Sequence, residues 1–190
     1  MSVAVDRSRL NNELVSMGTA NAMGTANAPV GTGADGAART RLIATMELLF
    51  FAYRDFTRDA DAVLAGYQFG RAHHRVLHFV HRNPGLRVAD LLDILQITKQ
   101  SLSRVLKQLI DDGFIHQRAS NADGRARLLH TTDKGRDLAE RLIDLQLRRI
   151  SKALEIAGAD AEDTVEAFLM GMIDEREHQR VETLTRSDNV

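Results

Sequence analysis

The chain has 190 residues, of which 44% are apolar, 5% aromatic and two are proline, a bias towards helix rather than a β-sandwich. It contains no cysteine, which excludes disulfides, thiolate zinc sites and switches based on cysteine oxidation, and favours the cytoplasm. The net charge is −1, but residues 71–136 carry 12 Lys and Arg against 6 Asp and Glu. A basic middle between acidic flanks is typical of a protein that binds a polyanion.

Residues 1–36 are predicted to form a disordered tail. They are rich in Gly, Ala, Asn and Thr, show no apolar periodicity, and repeat the segment Met17–Ala22 as Met23–Ala28. Residues 31–36 match the dinucleotide pattern G-x-G-x-x-G, but that pattern needs a preceding strand and a βαβ unit, which the tail lacks. We therefore expect no cofactor. No apolar run reaches the length of a membrane span and no signal-peptide pattern is present, so we expect no membrane partner either.

Residues 37–69 are predicted to form an N-terminal dimerisation helix. From Arg39 to about Asp59, apolar side chains recur at helical spacing. They are Leu42, Met46, Leu49, Phe50, Tyr53 and Phe56. Because Leu48 and Phe51 add apolar side chains to other faces, this helix has more apolar surface than one contact requires, and a partner chain is the expected second contact.

The middle of the chain has the sequence form of a helix-turn-helix. A helix from Arg71 to Arg82 is predicted to stop at the turn signal in residues 83–85. Arg87 and Val88 lead into a short helix, and a three-residue turn separates it from a second helix over Lys99–Asp112, with Gly113 as its C-terminal stop. Thr98 is predicted to cap this second helix by accepting from the N–H near Ser101.

The outer face of that second helix suits the major groove of DNA. Apolar residues gather on one side, and a polar set without acids faces the other. This polar set consists of Gln100, Ser103, Arg104, Lys107 and Gln108. Arginine can pair with guanine and glutamine with adenine, although a solvated helix face is an equally common reason for such polarity.

The residues that follow favour DNA binding over a merely solvated face. Residues 114–118 alternate as a strand, residues 119–124 are polar, and residues 125–130 read as a returning strand. A hairpin directly after such a helix is a wing, and Arg118, Arg125 and Arg127 give it positive charge that can enter a minor groove.

These motifs together resemble the MarR family of winged-helix transcription regulators. The matching segments are Ile97–Arg104 for the recognition helix, Asp112–Ile115 at its exit, Asp123-Gly124-Arg125 for the D-x-R wing motif, and Thr132–Gly135 for the L-T-x-x-G start of the next helix. Thr131 stands where the family usually has Leu. Residues 50–54 and 70–75 are similar to the PetP-type branch of the family.

The resemblance implies a mainly α fold, with a winged helix-turn-helix over residues 70–131. Residues 132–184 would form C-terminal helices that intertwine with the first helix in a homodimerisation domain, and residues 185–190 a disordered tail. It also implies that Asp123 braces the wing through an arginine and that Arg125 contacts DNA. Small organic anions often bind between the two parts in this family, which makes Tyr53, Arg54, His73 and His74 candidate ligand-binding residues.

We expect the dimer to bind a pseudo-palindromic double-stranded operator. Base recognition is assigned to Gln100, Ser101, Ser103 and Arg104, and phosphate contact to Lys99, Lys107 and Arg118. Acidic residues near the C-terminus, such as Glu162 and Glu166, would keep DNA away from that end.

Other functions have weaker support in the sequence. His74 and His78 have the i, i+4 spacing of metal ligands, but no cysteine or carboxylate pattern completes a set, so no metal is expected. No nucleophile elbow, P-loop or H-E-x-x-H helix indicates an enzyme. The remaining alternative is a winged helix that binds a protein rather than DNA, although such a module has no reason to keep the cations of the recognition helix and wing unopposed.

Overall fold

The computed structural model of the chain describes residues 34–119 and 127–186. These described residues divide into two units after Thr45, and the second unit contains the hydrophobic core. None of the helices in the described ranges combines the length and the hydropathy that a bilayer-spanning segment requires.

The first helix, α1 (Ala34–Ala65), is longer than its periodicity predicts. It begins before Arg39, because the Ala-rich residues 34–38 favour helix, and the predicted tail boundary at residue 36 therefore lies inside the helix. It ends before Gly66, after which Gln68 adopts a left-handed φ of 58°. The part of the G-x-G-x-x-G segment that is described, residues 34–36, is helical rather than a phosphate-binding loop.

The next helix, α2 (Arg71–Arg82), has the predicted bounds. Val76, Leu77 and Val80 are buried on one side of it. It stops because Asn83 precedes Pro84, and the Asn83 side chain donates to the carbonyl of Phe79 at 3.0 Å. Gly85 then turns the chain with a φ of 88°, which favours glycine.

The helix-turn-helix consists of α3 (Val88–Leu95) and α4 (Lys99–Asp111). Gln96 ends α3 in a left-handed conformation, so the chain turns within three residues. The second helix ends at the predicted glycine, Gly113, whose φ is 74°.

The three-stranded sheet has one strand that the sequence did not predict. Leu86–Arg87 form β1, which pairs with β3 (Arg127–Thr131), and β3 pairs in turn with β2 (Ile115–Ala119). Both pairings are antiparallel, with Leu86 opposite Leu129 and Gln117 also opposite Leu129. Two residues carry too little periodicity to be recognised as a strand, and only pairing with β3 makes them one.

The C-terminal part is helical. The predicted long helix is α5 (Asp133–Ala157), which ends at Gly158 as expected. The predicted last helix is divided into α6 (Ala161–Gly171), a 3₁₀ turn (Glu175–Glu177) and α7 (His178–Thr185). Leu138 and Leu142 of α5 join Leu64 of α1, Leu91 of α3 and Leu109 of α4 in the core.

Candidate nucleic-acid interface

The start of α4 is set by a side-chain cap. Thr98 has an extended backbone, and its Oγ1 accepts from the N–H of Ser101 at 3.1 Å, as the sequence predicts. The same hydroxyl donates to the Ser101 Oγ at 2.9 Å. Ser101 is consequently half-buried and tied to the cap, so its backbone and side chain are positioned before any ligand arrives.

The two sides of α4 differ as the sequence predicts. Leu102, Val105, Leu106 and Leu109 are buried. The exposed side presents Lys99, Gln100, Ser103, Arg104 and Lys107. Lys107 forms an ion pair with Asp111 one turn further on. Arg104 forms no ion pair with any residue of the described ranges, so its guanidinium is available for a base edge.

Gln108 does not share that exposed side in the way the helical spacing predicts. It is half-buried, and its Oε1 lies 2.9 Å from the Nε2 of His73 on α2. Helical periodicity predicts only the direction in which the Gln108 side chain leaves the helix axis. It cannot detect a hydrogen-bond partner 35 residues away that holds the amide against the protein.

The described part of the wing carries cations on both faces. Arg118 pairs with Leu128 and Arg127 with Ala119, and paired residues share a face of a hairpin while neighbours alternate. Both arginines are exposed. Asp123 and Arg125 lie outside the described residues, so the D-x-R bracing role stays a prediction.

Two histidines stack across the strands on the same face as Arg118. The rings of His116 and His130 are 5.5 Å apart with planes at 19°. Burial lowers the pKa of His130, and the nearby Arg118 and His116 lower it further. The lowered pKa favours the neutral form of His130 in this stacked pair.

The C-terminal end of α4 is held from the start of α5. Lys134 donates to the carbonyl of Asp112 at 2.8 Å, and its Nζ lies 4.1 Å from the centre of the Phe114 ring. Thr132 caps α5 by accepting from the N–H of Gly135 at 3.0 Å, and it donates to the carbonyl of Gly113 at 2.7 Å. The L-T-x-x-G segment thus connects the recognition helix to the long C-terminal helix.

A groove of about 550 Å³ runs beside the second half of α4. Tyr67 and Phe69 contribute aromatic rings from the loop between α1 and α2, and Phe114 lies edge-on to both. Three cations, Arg104, Lys107 and Lys134, line it together with two acids, Asp111, which pairs with Lys107, and Asp112. Sequence reasoning missed this groove, because its aromatic and basic residues come from three separate segments.

The four predicted ligand-binding residues do not form one cluster. The exposed ring of Tyr53 lies under the guanidinium of Arg71, which donates to Asp61 at 3.0 Å. His74 is buried near Asp61, and burial lowers its pKa. His73 instead faces α4, and the guanidinium of Arg54 pairs with Asp55 at 2.9 Å.

Of the four histidines of α2, His74 is buried and the other three are half-buried. Burial lowers the pKa of His78 to about 4, and its Nδ1 is buried with no hydrogen-bond partner. His81 is bonded to Glu140 on α5 at 2.6 Å. The ranges that the structure describes contain no group of three or more residues placed to hold a metal ion, so the i, i+4 pair has no third ligand there.

Comparison with known proteins agrees with this architecture. A model described as "MarR family" matches residues 67–126, which run from the loop before α2 into the wing. The HTH-type transcriptional regulator PetP of Rhodobacter capsulatus is 46% identical over 129 residues, covering 68% of this chain and 78% of that protein.

Two solved structures share the fold at low identity. The crystal structure of MarR matches with a TM-score of 0.56 at 19% identity, over 74% of this chain and 94% of that one. A putative MarR family regulator from Listeria monocytogenes, solved with a 26mer DNA, matches with a TM-score of 0.58 at 19% identity, over 76% and 96%. The identity to PetP, the family-model match and the winged helix-turn-helix together show that this chain belongs to the MarR family of winged-helix transcriptional regulators.

Proposed function

We propose that the protein binds specific sequences of double-stranded DNA as a homodimer. The observation that carries this proposal is the exposed face of α4, where Arg104, which has no ion-pair partner in the described ranges, and neighbouring polar residues precede the cationic wing. The structural neighbour from Listeria was solved with DNA, which supports the same use of the fold here. Paired recognition helices one turn of DNA apart, about 34 Å, would read a pseudo-palindromic operator.

The contacts divide by chemistry. Gln100, Ser101, Ser103 and Arg104 would meet base edges, because glutamine and arginine form bidentate pairs with adenine and guanine. Lys99, Lys107 and Arg118 would hold phosphates. The wing would also contribute Arg127, together with Arg125 and Asp123, which lie outside the described residues.

Dimerisation is supported by large apolar side chains that one chain leaves exposed. On α6 they are Val165, Phe168 and Leu169, followed by Met172, and on α1 they include Leu48, Phe50 and Phe51. Exposed apolar patches on monomers mark interaction surfaces. A second copy of the chain would cover these residues and set the distance between the two recognition helices.

A small organic anion is proposed as the effector. The groove beside α4 supports this, since its three cations exceed its two acids, Asp111 and Asp112, and its aromatic rings suit an aromatic carboxylate. Such a ligand would occupy Arg104 and Lys107 and so compete with DNA. Adding benzoate should then weaken operator binding, and a Lys134→Ala variant should be less sensitive; equal sensitivity of both proteins would place the effector elsewhere, for example near Tyr53, Arg54 and His74.

The test of the main proposal is binding to the DNA upstream of the protein's own gene. The purified protein is titrated against these fragments and against random DNA across a salt series. Two protomers per specific site with a steep negative salt slope are expected. Equal weak binding to all fragments would favour the alternative, a winged helix that binds a protein partner.

A further inference from the structure

His73 connects α2 to the recognition helix. Its Nδ1 accepts from the N–H of Gly70 at 3.1 Å, and its Nε2 lies 2.9 Å from the Oε1 of Gln108. A neutral imidazole carries one proton, and because Nδ1 accepts, that proton is assigned to Nε2, which donates to Gln108. The ring also stacks on Phe69, with centres 4.8 Å apart and planes at 5°. One tautomer therefore satisfies both ring nitrogens.

Gln108 lies one turn beyond Arg104 on α4. Residues four apart are neighbours on a helix surface, so a bond that holds Gln108 against α2 limits rotation of the helix at the level of Arg104. The apolar contacts that hold the buried side of α4 have little directionality. The bond from His73 is directional and adds the angular restraint that bidentate base pairing requires.

We infer that His73 is a positioning residue for base recognition: through Gln108 it orients the face of α4 from which Arg104 reaches the bases. This inference rests on the proposed DNA-binding function. It assigns to His73 a role other than ligand binding, and to Gln108 a role other than base contact.

The restraint requires a neutral ring. Burial lowers the pKa of His73, and Arg104 lowers it further, while Asp112 and the hydrogen bonds to Gln108 and Gly70 act in the opposite direction. Protonation would place an N–H on Nδ1, facing the N–H of Gly70, and break the hydrogen bond between them. The restraint is therefore present at neutral pH and is lost as pH falls through the lowered pKa.

The experiment measures the ratio of operator affinity to random-DNA affinity for His73→Phe, Gln108→Met and the double variant. Phenylalanine keeps the stack on Phe69, and methionine keeps the length of the glutamine side chain. Each single change should lower the ratio about three- to tenfold, the range of one lost hydrogen bond, and the double variant should lose no more than either. Additive losses, or an unchanged ratio in both single variants, would overturn the inference.

His81→Phe is the matched control. It removes a histidine of the same helix whose partner, Glu140, lies on α5 rather than α4. Its ratio should stay at the wild-type value even if its free energy of unfolding falls. If wild-type protein itself does not distinguish operator from random DNA, the proposed function fails rather than this inference.

A pH profile separates positioning from a general structural role. In Gln108→Glu, the carboxylate still accepts from the Nε2 of His73 but stabilises the charged form of the ring. The ratio of operator affinity to random-DNA affinity is measured between about pH 8 and about pH 5.5. It should begin to fall at a higher pH in this variant than in the wild type. A general gain of positive charge would instead strengthen binding to all DNA at low pH. Identical profiles for the two proteins would contradict the inference.

Discussion

Arg104 and Lys107 lie on the same exposed side of α4 but differ in their contacts within the chain. Arg104 has no ion-pair partner in the described ranges, whereas Lys107 is paired with Asp111. Arg104→Ala should cost about 1–3 kcal/mol of operator binding and relax base preference at one position. Lys107→Ala should weaken all DNA alike and reduce the salt slope by about 1. Titrations of both variants on operator and random DNA measure these affinities. If each variant loses as much affinity for random DNA as for the operator, the two residues do not have separate roles.

Gly135 is required by a close approach. A Cβ at this position would lie 1.9 Å from the carbonyl oxygen of Phe114, which is backbone and cannot move aside easily. Gly135→Ala should lower the free energy of unfolding by about 1–3 kcal/mol, as measured by urea denaturation. Gly36→Ala is the control, because a Cβ there meets nothing within 4 Å and alanine favours helix. Equal free energies of unfolding for Gly135→Ala and Gly36→Ala would show that α5 can shift away from Phe114.

At the level of elements, the cap of α4 links stability to DNA binding. Thr98→Ala removes the acceptor for the Ser101 N–H and should lower the free energy of unfolding by about 1 kcal/mol, with fraying of the first turn that carries Lys99 and Gln100. Urea denaturation and operator titration measure the two effects. Thr40→Ala removes an exposed hydroxyl bonded within α1 and should have no such effect. A loss of the same size in that control would argue against the cap.

The lowered pKa of His78 on α2 should make stability depend on pH. The pKa of His78 in the folded chain is about 4, below its ordinary value of 6.5, so the unfolded chain binds a proton that the folded chain does not. Stability should therefore decrease as pH falls from about 6.5 to about 4, by on the order of 3 kcal/mol for this residue. Urea denaturation across this range should show a smaller slope for His78→Leu than for wild type. An unchanged slope would assign the dependence to His74 and other groups.

At the scale of the whole molecule, the exposed apolar residues of α6 test the dimer. Phe168 is 46% and Leu169 49% exposed in one chain, so a charge there removes little from the core of the monomer. Leu169→Glu should raise the dimer dissociation constant at least about tenfold, because it would bury a charge in an apolar interface, and operator affinity should fall with it. Sedimentation measures the dissociation constant, and Glu162→Gln, also exposed on α6, is the control. A fully dimeric Leu169→Glu protein would place the interface elsewhere.

Local patterns alone predicted the helix-turn-helix of this protein. The bounds of α2, the Thr98 cap, the stop at Gly113 and the division of α4 into apolar and polar sides all follow from residues at most a few positions apart. Capping and helical periodicity act within one or two turns, so they can be read without knowing the fold. Alternation likewise predicted the two strands of the wing, whereas the start of α5 was indicated by the resemblance to the L-T-x-x-G segment of the family.

Only the tertiary structure decided which of these side chains meet. Leu86 and Arg87 become a strand only by pairing with β3, and Gly135 is constrained only because Phe114 packs against it. Gln108 leaves the expected DNA face because His73, 35 residues earlier, offers a hydrogen bond. Such contacts depend on how separate elements pack, and the chain carries no local signal for them. The sequence by itself therefore determined the kind of DNA-reading unit, and the packing determined which residues restrain it.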